Sequence, residues 1–302
     1  MENRVRELLG EGRTASVYLR RDGRALKLFH QGWSSRDVED IYIRSIEAEK
    51  AGIPMVRSYE TVEVNGRYGI LLDRVDGQSL DVILGQCDEK ERFEIVAAFA
   101  ENVRKIHDTQ ISTSGLPDQK GCSLQLVGRL SEFGFSEKEI GMIRDLLESM
   151  PDETGFIHGD CHTGNVFFRD GEFLFSDLSY FTGKGNRVLD LCCMYSHYVF
   201  LPSLMDDDGV MQYIGMSREE GRQIYDAFIR DYYRDAAPVD EQYIAAVTAV
   251  RVCLAYAYYP EVFDKGIVEK AKQNLRRRYG GSGREPETEA FVPVRHPEGA
   301  NR

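Results

Sequence analysis

Residues 157–168 read Ile157-His158-Gly159-Asp160-Cys161-His162-Thr163-Gly164-Asn165-Val166-Phe167-Phe168. The stretch places a carboxylate, Asp160, and a carboxamide, Asn165, five residues apart in a polar loop with apolar residues on both sides. An Asp-Gly pair at 170 and 171 follows, and this dipeptide favours a two-residue hairpin turn. The sequence therefore predicts a polar loop that runs directly into a β-hairpin.

The pairing of this hairpin predicts which polar side chains meet. Strand pairing that extends outward from the turn places Asp177 opposite Gly164, and therefore beside Asn165. Asp160 lies at the other end of the same loop. Phosphoryl transfer uses a carboxylate that orients a hydroxyl, together with an Asn and an Asp that hold magnesium.

This pattern resembles the catalytic and metal-binding loops of aminoglycoside phosphotransferases. Choline kinases and other small-molecule kinases share their protein-kinase-like fold. The resemblance covers about residues 7–260 and implies that Asp160 is the catalytic residue and that Asn165 and Asp177 bind Mg²⁺. The alternative interpretation is an ordinary surface hairpin with polar turns.

The resemblance also predicts a fold in the α+β class, with two lobes. The expected N-terminal lobe, residues 1–76, has a five-stranded antiparallel sheet and one helix at 34–51. The expected C-terminal lobe, residues 77–279, is mostly helical, and residues 280–302 have the composition of a disordered tail. Patterning predicts helices at 89–107, 123–130, 136–150, 187–200, 217–235, 239–258 and 260–279.

Two features of the N-terminal region suit ATP. The turn that contains Gly10, Gly12 and Thr14 resembles the short phosphate-binding turn of the family, in which backbone N–H groups approach the phosphates. An ordinary glycine-containing hairpin is the alternative. By resemblance, the backbone from Asp73 to Val75 is the hinge that binds the adenine edge.

Lys27 lies within the otherwise apolar strand Leu26-Lys27-Leu28-Phe29, where a lysine is rarely found without a partner. The resemblance implies that Lys27 holds the α- and β-phosphates, whereas the alternative is an edge lysine that points to water. The family pairs this lysine with a helix glutamate, but Ile41 occupies the usual place. Nearby acids are Glu39, Glu47 and Glu49, and Glu39 is the preferred candidate.

Three further residues receive supporting roles from the resemblance. His158 and His162 are expected to be structural residues of the loop. Asp190 precedes an apolar helix, and we expect it to tie the start of that helix to the loop.

Composition limits the function classes. The 302 residues carry 38 basic and 50 acidic side chains, for a net charge of −12. This acidity argues against nucleic acid or anionic membranes as partners and would tolerate a cationic substrate. The apolar run at 243–259 contains Arg251 and is short for a membrane span. Six cysteines without metal-ligand spacing, and a charged N-terminus, predict a cytoplasmic protein.

The sequence predicts a kinase for a small-molecule hydroxyl with ATP and Mg²⁺ as cofactors, but neither the acceptor nor the oligomeric state. Tyrosines and acids are frequent after residue 195, and one hypothesis is an ammonium-binding pocket that includes Asp231 and Tyr232. Tyrosines packed between helices are the alternative. Other functions left open are a catalytically silent kinase fold, an atypical protein kinase and a nucleotidyl transferase. The segment between Asp177 and Asp190 is short for a peptide-docking activation loop.

Overall fold

The computed structural model describes residues 5–111 and 115–279. The first part of the chain forms a five-stranded antiparallel sheet with strand order β1-β2-β3-β5-β4. Helix α1, Ser35–Lys50, connects β3 to β4. This confirms the predicted sheet and helix. The strands are β1 Val5–Glu11, β2 Ala15–Arg20, β3 Ala25–Phe29, β4 Ser58–Val64 and β5 Arg67–Leu72.

Local sequence signals explain these elements. Asn65 and Gly66 both have positive φ, at 53° and 74°, as the tight turn between β4 and β5 requires. Ser34 caps α1 and forms a reciprocal capping box with Asp37. The buried face of α1, which includes Val38, packs in the core beneath the sheet.

The rest of the chain is mostly helical, as predicted. Two small antiparallel sheets accompany the helices, with strand orders β6-β8-β9 and β10-β7. Their strands are β6 Gln78–Ser79, β7 Gly155–Ile157, β8 Val166–Arg169, β9 Glu172–Phe175 and β10 Gly183–Gly185. The helices are α2 Leu80–Gln86, α3 Glu89–Asp108, α4 Gln119–Val127, α5 Glu137–Ser149, α6 Val188–Tyr195, α7 Asp207–Ile214, α8 Arg218–Tyr232, α9 Glu241–Tyr258 and α10 Lys265–Tyr279. Among the described residues, no helix has the length and apolar character needed to cross a membrane.

Three helices differ from the prediction. Helix α4 begins after Asp118, whose carboxylate accepts from the Gly121 N–H, and not at Ser123, which is buried inside the helix. Helices α2 and α7 were not predicted, because seven and eight residues give too few turns for a clear apolar period. Asp206 caps α7. The predicted disordered tail lies outside the described residues.

Two apolar cores hold the fold together. The first joins α1 and the sheet to the β8–β9 hairpin, α3 and α8, and the second contains α5, α6, α9 and α10. Phe175 in β9 exchanges backbone hydrogen bonds with the chain that leads into β4: its N–H donates to Pro54 O, and Val56 N–H donates to its carbonyl, both at 2.8 Å. The hairpin is therefore fixed to the sheet-containing region as well as to the helices.

Candidate active site

The hairpin has the predicted register. Arg169 lies opposite Glu172, and Asp170 and Gly171 form the turn with positive φ of 54° and 86°. The Ser176 N–H donates to the carbonyl of Asn165 at 2.9 Å. This pairing brings the segment that carries Asp177 alongside the loop from His158 to Asn165, hereafter the polar loop.

The start of the polar loop depends on Gly159. This residue has a φ of 84°, and a Cβ at this position would lie 2.2 Å from the carbonyl carbon of Phe181. Glycine is required because no other side chain fits this approach. The N–H groups of His158 and Gly159 each donate to a carboxylate oxygen of buried Asp190 at 2.7 Å, which confirms the expected anchoring role of Asp190.

A close pair is formed by Asp160 and Asn165. The Asn165 Nδ2 donates to both the carbonyl and the Oδ2 of Asp160, each at 3.0 Å. The Asp160 N–H in turn donates to Nδ1 of buried His158 at 3.3 Å, as expected for a structural histidine. The Asp160 side chain remains 44% exposed. Its carboxylate is thus fixed in orientation but open to the cleft.

The charge of Asp160 is set by its surroundings. Burial raises the pKa of Asp160, but Arg251 and His162, the latter when it is protonated, outweigh burial and lower that pKa below its usual value of 3.8. Burial is also the main cause that lowers the pKa of His162 to about 4. Asp160 is therefore ionised near neutral pH and able to accept a hydrogen bond from a hydroxyl.

Lys27 forms an ion pair with Asp177. Only 9% of Lys27 is exposed, and its Nζ contacts Oδ1 of Asp177 across a sequence separation of 150 residues. Asp177 has a φ of 62°, an uncommon conformation for a residue other than glycine. This ion pair joins β3 of the sheet to the end of the hairpin.

The prediction that Glu39 pairs with Lys27 was wrong. The Glu39 carboxylate accepts from the Thr61 hydroxyl at 2.9 Å on the surface. The other two candidates also bind elsewhere, Glu47 to Lys50 and Glu49 to Arg57. Ile41 is buried and lines the cleft, so α1 presents an apolar residue where the family has an acid.

Helix α1 is connected to the hairpin end by another residue, Arg44. This side chain is buried and donates from NH1 to the carbonyls of Tyr180, at 2.8 Å, and Thr182. Both acceptors lie just after Asp177. The helix therefore holds this segment through a guanidinium instead of through a lysine–glutamate pair.

A cavity of about 790 Å³ lies between the sheet and the helices. Every residue that the sequence predicted for the site lines this cavity: Gly10, Gly12, Thr14, Lys27, Asp73, Val75, Asp160, Asn165 and Asp177. The Gly12 N–H donates to the Ala15 carbonyl at 2.9 Å. The turn, the strand lysine, the hinge and the polar loop thus surround one space.

Two of the side chains that line this cavity have oxygen atoms of the kind that binds Mg²⁺. Asn165 uses its Nδ2 on Asp160, and its Oδ1 has no hydrogen bond within the described ranges. Asp177 likewise uses Oδ1 on Lys27 and keeps Oδ2 free of such bonds. Two oxygen donors from an amide and a carboxylate are the ligand types that Mg²⁺ accepts, with other positions filled by water and phosphate.

A second cluster does not suit a metal in its observed arrangement. Asp81, His162 and His197 bring their donor atoms within 4.8 Å of one another. The two imidazoles, however, stack with centroids 4.4 Å apart and planes only 17° from parallel. A ring nitrogen binds a metal in the plane of its ring, and two nearly parallel, stacked planes do not meet at a single ion. We interpret His162 as a structural residue; its Nδ1 accepts from Gly164 N–H at 3.2 Å.

Residues 5–235 match the sequence profile of the phosphotransferase enzyme family. The chain belongs to this family. The match covers both the sheet and the polar loop, and the family assignment agrees with the predicted resemblance.

Solved structures of family members and other kinases have the same fold. Aminoglycoside-3′-phosphotransferase of type VIII has a TM-score of 0.58 at 19% identity, over 82% of this chain and 92% of its own. The ternary complex of APH(2″)-IIa with streptomycin and ATP has a TM-score of 0.56 at 16% identity, over 90% and 92%. A putative fructosamine-3-kinase from Haemophilus somnus 129PT has a TM-score of 0.57 at 14% identity, over 90% of each chain. No curated protein is significantly similar in sequence.

The structure contradicts the hypothesis of an ammonium pocket at Asp231 and Tyr232 and supports the alternative, tyrosines packed between helices. Asp231 pairs with its neighbour Arg230 at 2.7 Å, and Tyr232 is buried, with its hydroxyl 2.7 Å from Nδ1 of His107. Neither lines the cavity. Asp231 therefore serves an ion pair within α8, and Tyr232 serves packing and a hydrogen bond in the interior.

Several lining residues were not predicted from the sequence. They are Arg13 in the β1–β2 turn, Tyr213 in α7 and Arg251 in α9. Arg251 donates from NH2 to the Gly159 carbonyl at 2.6 Å and lies 3.3 Å from the Phe181 ring centroid. The one available signal was a guanidinium inside a long apolar helix, which requires a buried partner.

Proposed function

We propose that this phosphotransferase moves the γ-phosphoryl group of Mg-ATP to a hydroxyl group of a small molecule. The observation that carries the proposal is the convergence of Asp160, Asn165, Asp177 and Lys27 on one cavity, although they come from distant parts of the sequence. These are the groups that position a hydroxyl, a metal ion and a triphosphate.

The nucleotide would occupy the part of the cavity that adjoins the sheet. The backbone from Asp73 to Val75 lines its edge and offers main-chain groups to an adenine. Lys27 and the turn between β1 and β2 would position the phosphates, the turn through N–H groups other than that of Gly12, which donates to the Ala15 carbonyl. The bound ATP in the APH(2″)-IIa complex supports a nucleotide in the same fold. We take residues 1–76 and 77–279 as the two lobes that enclose it.

In the proposed reaction, Asp160 holds the acceptor hydroxyl by accepting its hydrogen bond. The hydroxyl oxygen bonds to the γ-phosphorus while the bond from that phosphorus to the β,γ-bridging oxygen breaks. The proton passes to Asp160, and ADP leaves. Asn165 and Asp177 would hold Mg²⁺, which neutralises charge on the phosphates. The lowered pKa of Asp160 keeps its carboxylate ionised, so that Asp160 first orients the hydroxyl. The proton moves to Asp160 only when the new bond to phosphorus has made the hydroxyl oxygen less basic.

A cytoplasmic location belongs to the same proposal. The six cysteines, Cys87, Cys122, Cys161, Cys192, Cys193 and Cys253, are all free thiols in the structure. Such a set is typical of a reducing compartment.

Phosphoryl transfer is tested directly by incubating the protein with Mg-ATP and a panel of alcohols, followed by phosphorus NMR. The expected result is ADP and a phosphomonoester, with both products abolished by EDTA. Transfer of AMP to an acceptor, or no nucleotide turnover in any mixture, would contradict the proposal.

A further inference from the structure

We propose that the acceptor is an alcohol with an apolar body and an anionic group, such as a hydroxy acid, and not a polyamine. This inference rests on the proposed function, because it assigns the nucleotide to the sheet side of the cavity and the acceptor to the lining that the helices contribute. We call the lining residues between positions 192 and 267 the helical wall, since α6, α9, α10 and their connections contribute most of them.

The helical wall is largely apolar. Its aliphatic and aromatic hydrocarbon groups come from three parts of the chain: the turn after α6, helix α9, and the connection from α9 into α10. They are Leu201, Val252, Ala255, Val262, Phe263 and Ile267. Tyr213 and Tyr259 add aromatic rings with a hydroxyl each. Such a surface binds a hydrocarbon or ring body by removing apolar area from water.

The helical wall carries one permanent charge, and that charge is positive. None of its described lining residues is Asp or Glu, and Arg251 provides the guanidinium. Arg251 binds the Gly159 carbonyl through NH2 and lies over the Phe181 ring. No carboxylate in residues 5–111 or 115–279 forms an ion pair with it. Its other N–H groups therefore suit a carboxylate or phosphate of the acceptor.

The acids that line the rest of the cavity do not offset the positive charge of the helical wall. Asp160 and Asp177 are committed to the reacting hydroxyl and to the metal and Lys27. Glu11 accepts from the Ser16 hydroxyl at 3.1 Å and lies 3.5 Å from the His30 Nε2. Asp73 accepts from the Tyr59 hydroxyl at 2.7 Å, and Asp76 pairs with Arg74 at 2.7 Å.

A second guanidinium strengthens the positive field. Arg13 lines the cavity from the β1–β2 turn, and its charge lowers the pKa of Asp160 together with the larger effects of His162 and Arg251. A polyamine would bring several ammonium groups against two guanidiniums, with no unassigned carboxylate in the helical wall to bind them. Binding a cation here costs desolvation energy without a compensating partner.

The test uses acceptors that differ only in charge. We would measure kcat/KM from ADP release with aryl and cyclohexyl alcohols, each made as the carboxylate, the primary amide and the primary amine, and with kanamycin as a polyamine. The expected order is carboxylate, then amide, then amine. The carboxylate should exceed the amide roughly tenfold to a hundredfold, the range for a charge-assisted hydrogen bond. A best rate with the amines or kanamycin would overturn the acceptor class.

The Arg251→Gln variant tests whether Arg251 binds the negative charge of the acceptor. It should reduce kcat/KM for the carboxylate to that for the amide, mainly through KM, and leave the amide-to-amine ratio nearly unchanged. Arg251→Lys should restore part of the preference. Arg222→Gln is the matched control, since Arg222 on α8 pairs with Asp226 and with Glu241 of α9 and does not line the cavity. A carboxylate preference that survives in Arg251→Gln contradicts the assignment.

The same measurements distinguish a wrong acceptor class from a wrong kinase assignment. If Mg-ATP binds but no carboxylate or amide accelerates ADP release, the acceptor class is wrong and the kinase proposal stands. If Mg-ATP does not bind and no ADP forms, the kinase proposal itself is wrong.

Discussion

At the scale of single residues, the proposed chemistry depends most on Asp160. Its carboxylate is ionised near neutral pH, half-exposed to the cavity, and held from behind by Asn165 and His158. This exposure leaves the carboxylate of Asp160 accessible to a hydroxyl group in the cavity. A substitution that removes the charge of Asp160 but keeps its shape therefore tests the orientation of the hydroxyl without changing the fold.

We expect Asp160→Asn to lower kcat roughly 10²- to 10⁴-fold, the usual contribution of a positioned acid or base. Mg-ATP affinity should change little, because Asn165 and Asp177 remain. ADP release and Mg-ATP-dependent thermal shifts measure the two quantities. Asp170→Asn is the matched control, since Asp170 is an exposed hairpin-turn residue in a conformation that Asn also adopts. A kcat within threefold of the natural chain would exclude the proposed role.

The sequence predicts the positions of some residues of the site but not of others. The juxtaposition of Asp177 and Asn165 was predictable because a two-residue turn fixes hairpin register locally. The contribution of Arg251 was not, since its side chain meets Gly159 across 92 residues of sequence. Periodicity identifies a buried helix but does not tell which carbonyl a guanidinium on that helix will find.

At the scale of elements, α1 controls the segment that follows Asp177. Its Arg44 binds the carbonyls of Tyr180 and Thr182, and Gln119 of α4 donates to the same two carbonyls from Nε2. These four bonds hold an irregular segment that has no sheet partner of its own over residues 178–182. The sequence showed where α1 begins and ends, but not this tertiary contact.

We expect Arg44→Ala to lower the free energy of unfolding by about 3 kcal/mol, because two buried carbonyls lose a charged donor. Mg-ATP affinity should fall as well, since the segment adjoins Asp177. Denaturant unfolding and nucleotide titration measure both effects. Arg36→Ala on the exposed side of the same helix should change neither. Equal stability of the two variants would contradict the contact.

Helix α8 offers a pH-dependent test. Glu220 bonds the N–H and hydroxyl of Ser217 and pairs with Arg92, and these contacts lower its pKa from 4.5 to about 2. A carboxylate whose pKa is lowered by folding stabilises the protein above its unfolded pKa. This contribution is lost as pH falls from about 4.5 towards 2.

We expect Glu220→Gln to reduce the free energy of unfolding by about 0.5–1 kcal/mol at pH 7, a value discounted because the side chain is 40% exposed. The difference from the natural chain should disappear near pH 2. Urea unfolding at several pH values measures it. Glu219→Gln changes an exposed charge in the same turn outside the capping box and serves as the control. A difference that is constant with pH would rule out an ionic origin.

At the scale of the whole molecule, the cavity exists because two structurally different regions face each other. The sheet contributes Lys27, the helical part contributes the polar loop, and the ion pair of Lys27 with Asp177 joins them. Many strands and helices were predictable because turn dipeptides, capping serines and apolar periods are local signals, whereas the two-lobed fold followed from the family resemblance. The Glu39 pairing and the Asp231–Tyr232 pocket were wrong because both required knowledge of which faces meet across the cleft.

The central claim is that this cleft binds ATP through a magnesium ion held by Asp177 and Asn165. The most direct measurement is thermal unfolding with and without Mg-ATP for the natural chain, Asp177→Asn and the control Asp170→Asn. At about 100 times the dissociation constant, Mg-ATP should add roughly 2.7 kcal/mol to the stability of the natural chain and the control. The stabilisation should require magnesium and should be strongly reduced in Asp177→Asn, whose asparagine tolerates the positive φ. Stabilisation that is independent of magnesium or unaffected by the Asp177 substitution would contradict the metal site, and no stabilisation by any nucleotide would contradict the account as a whole.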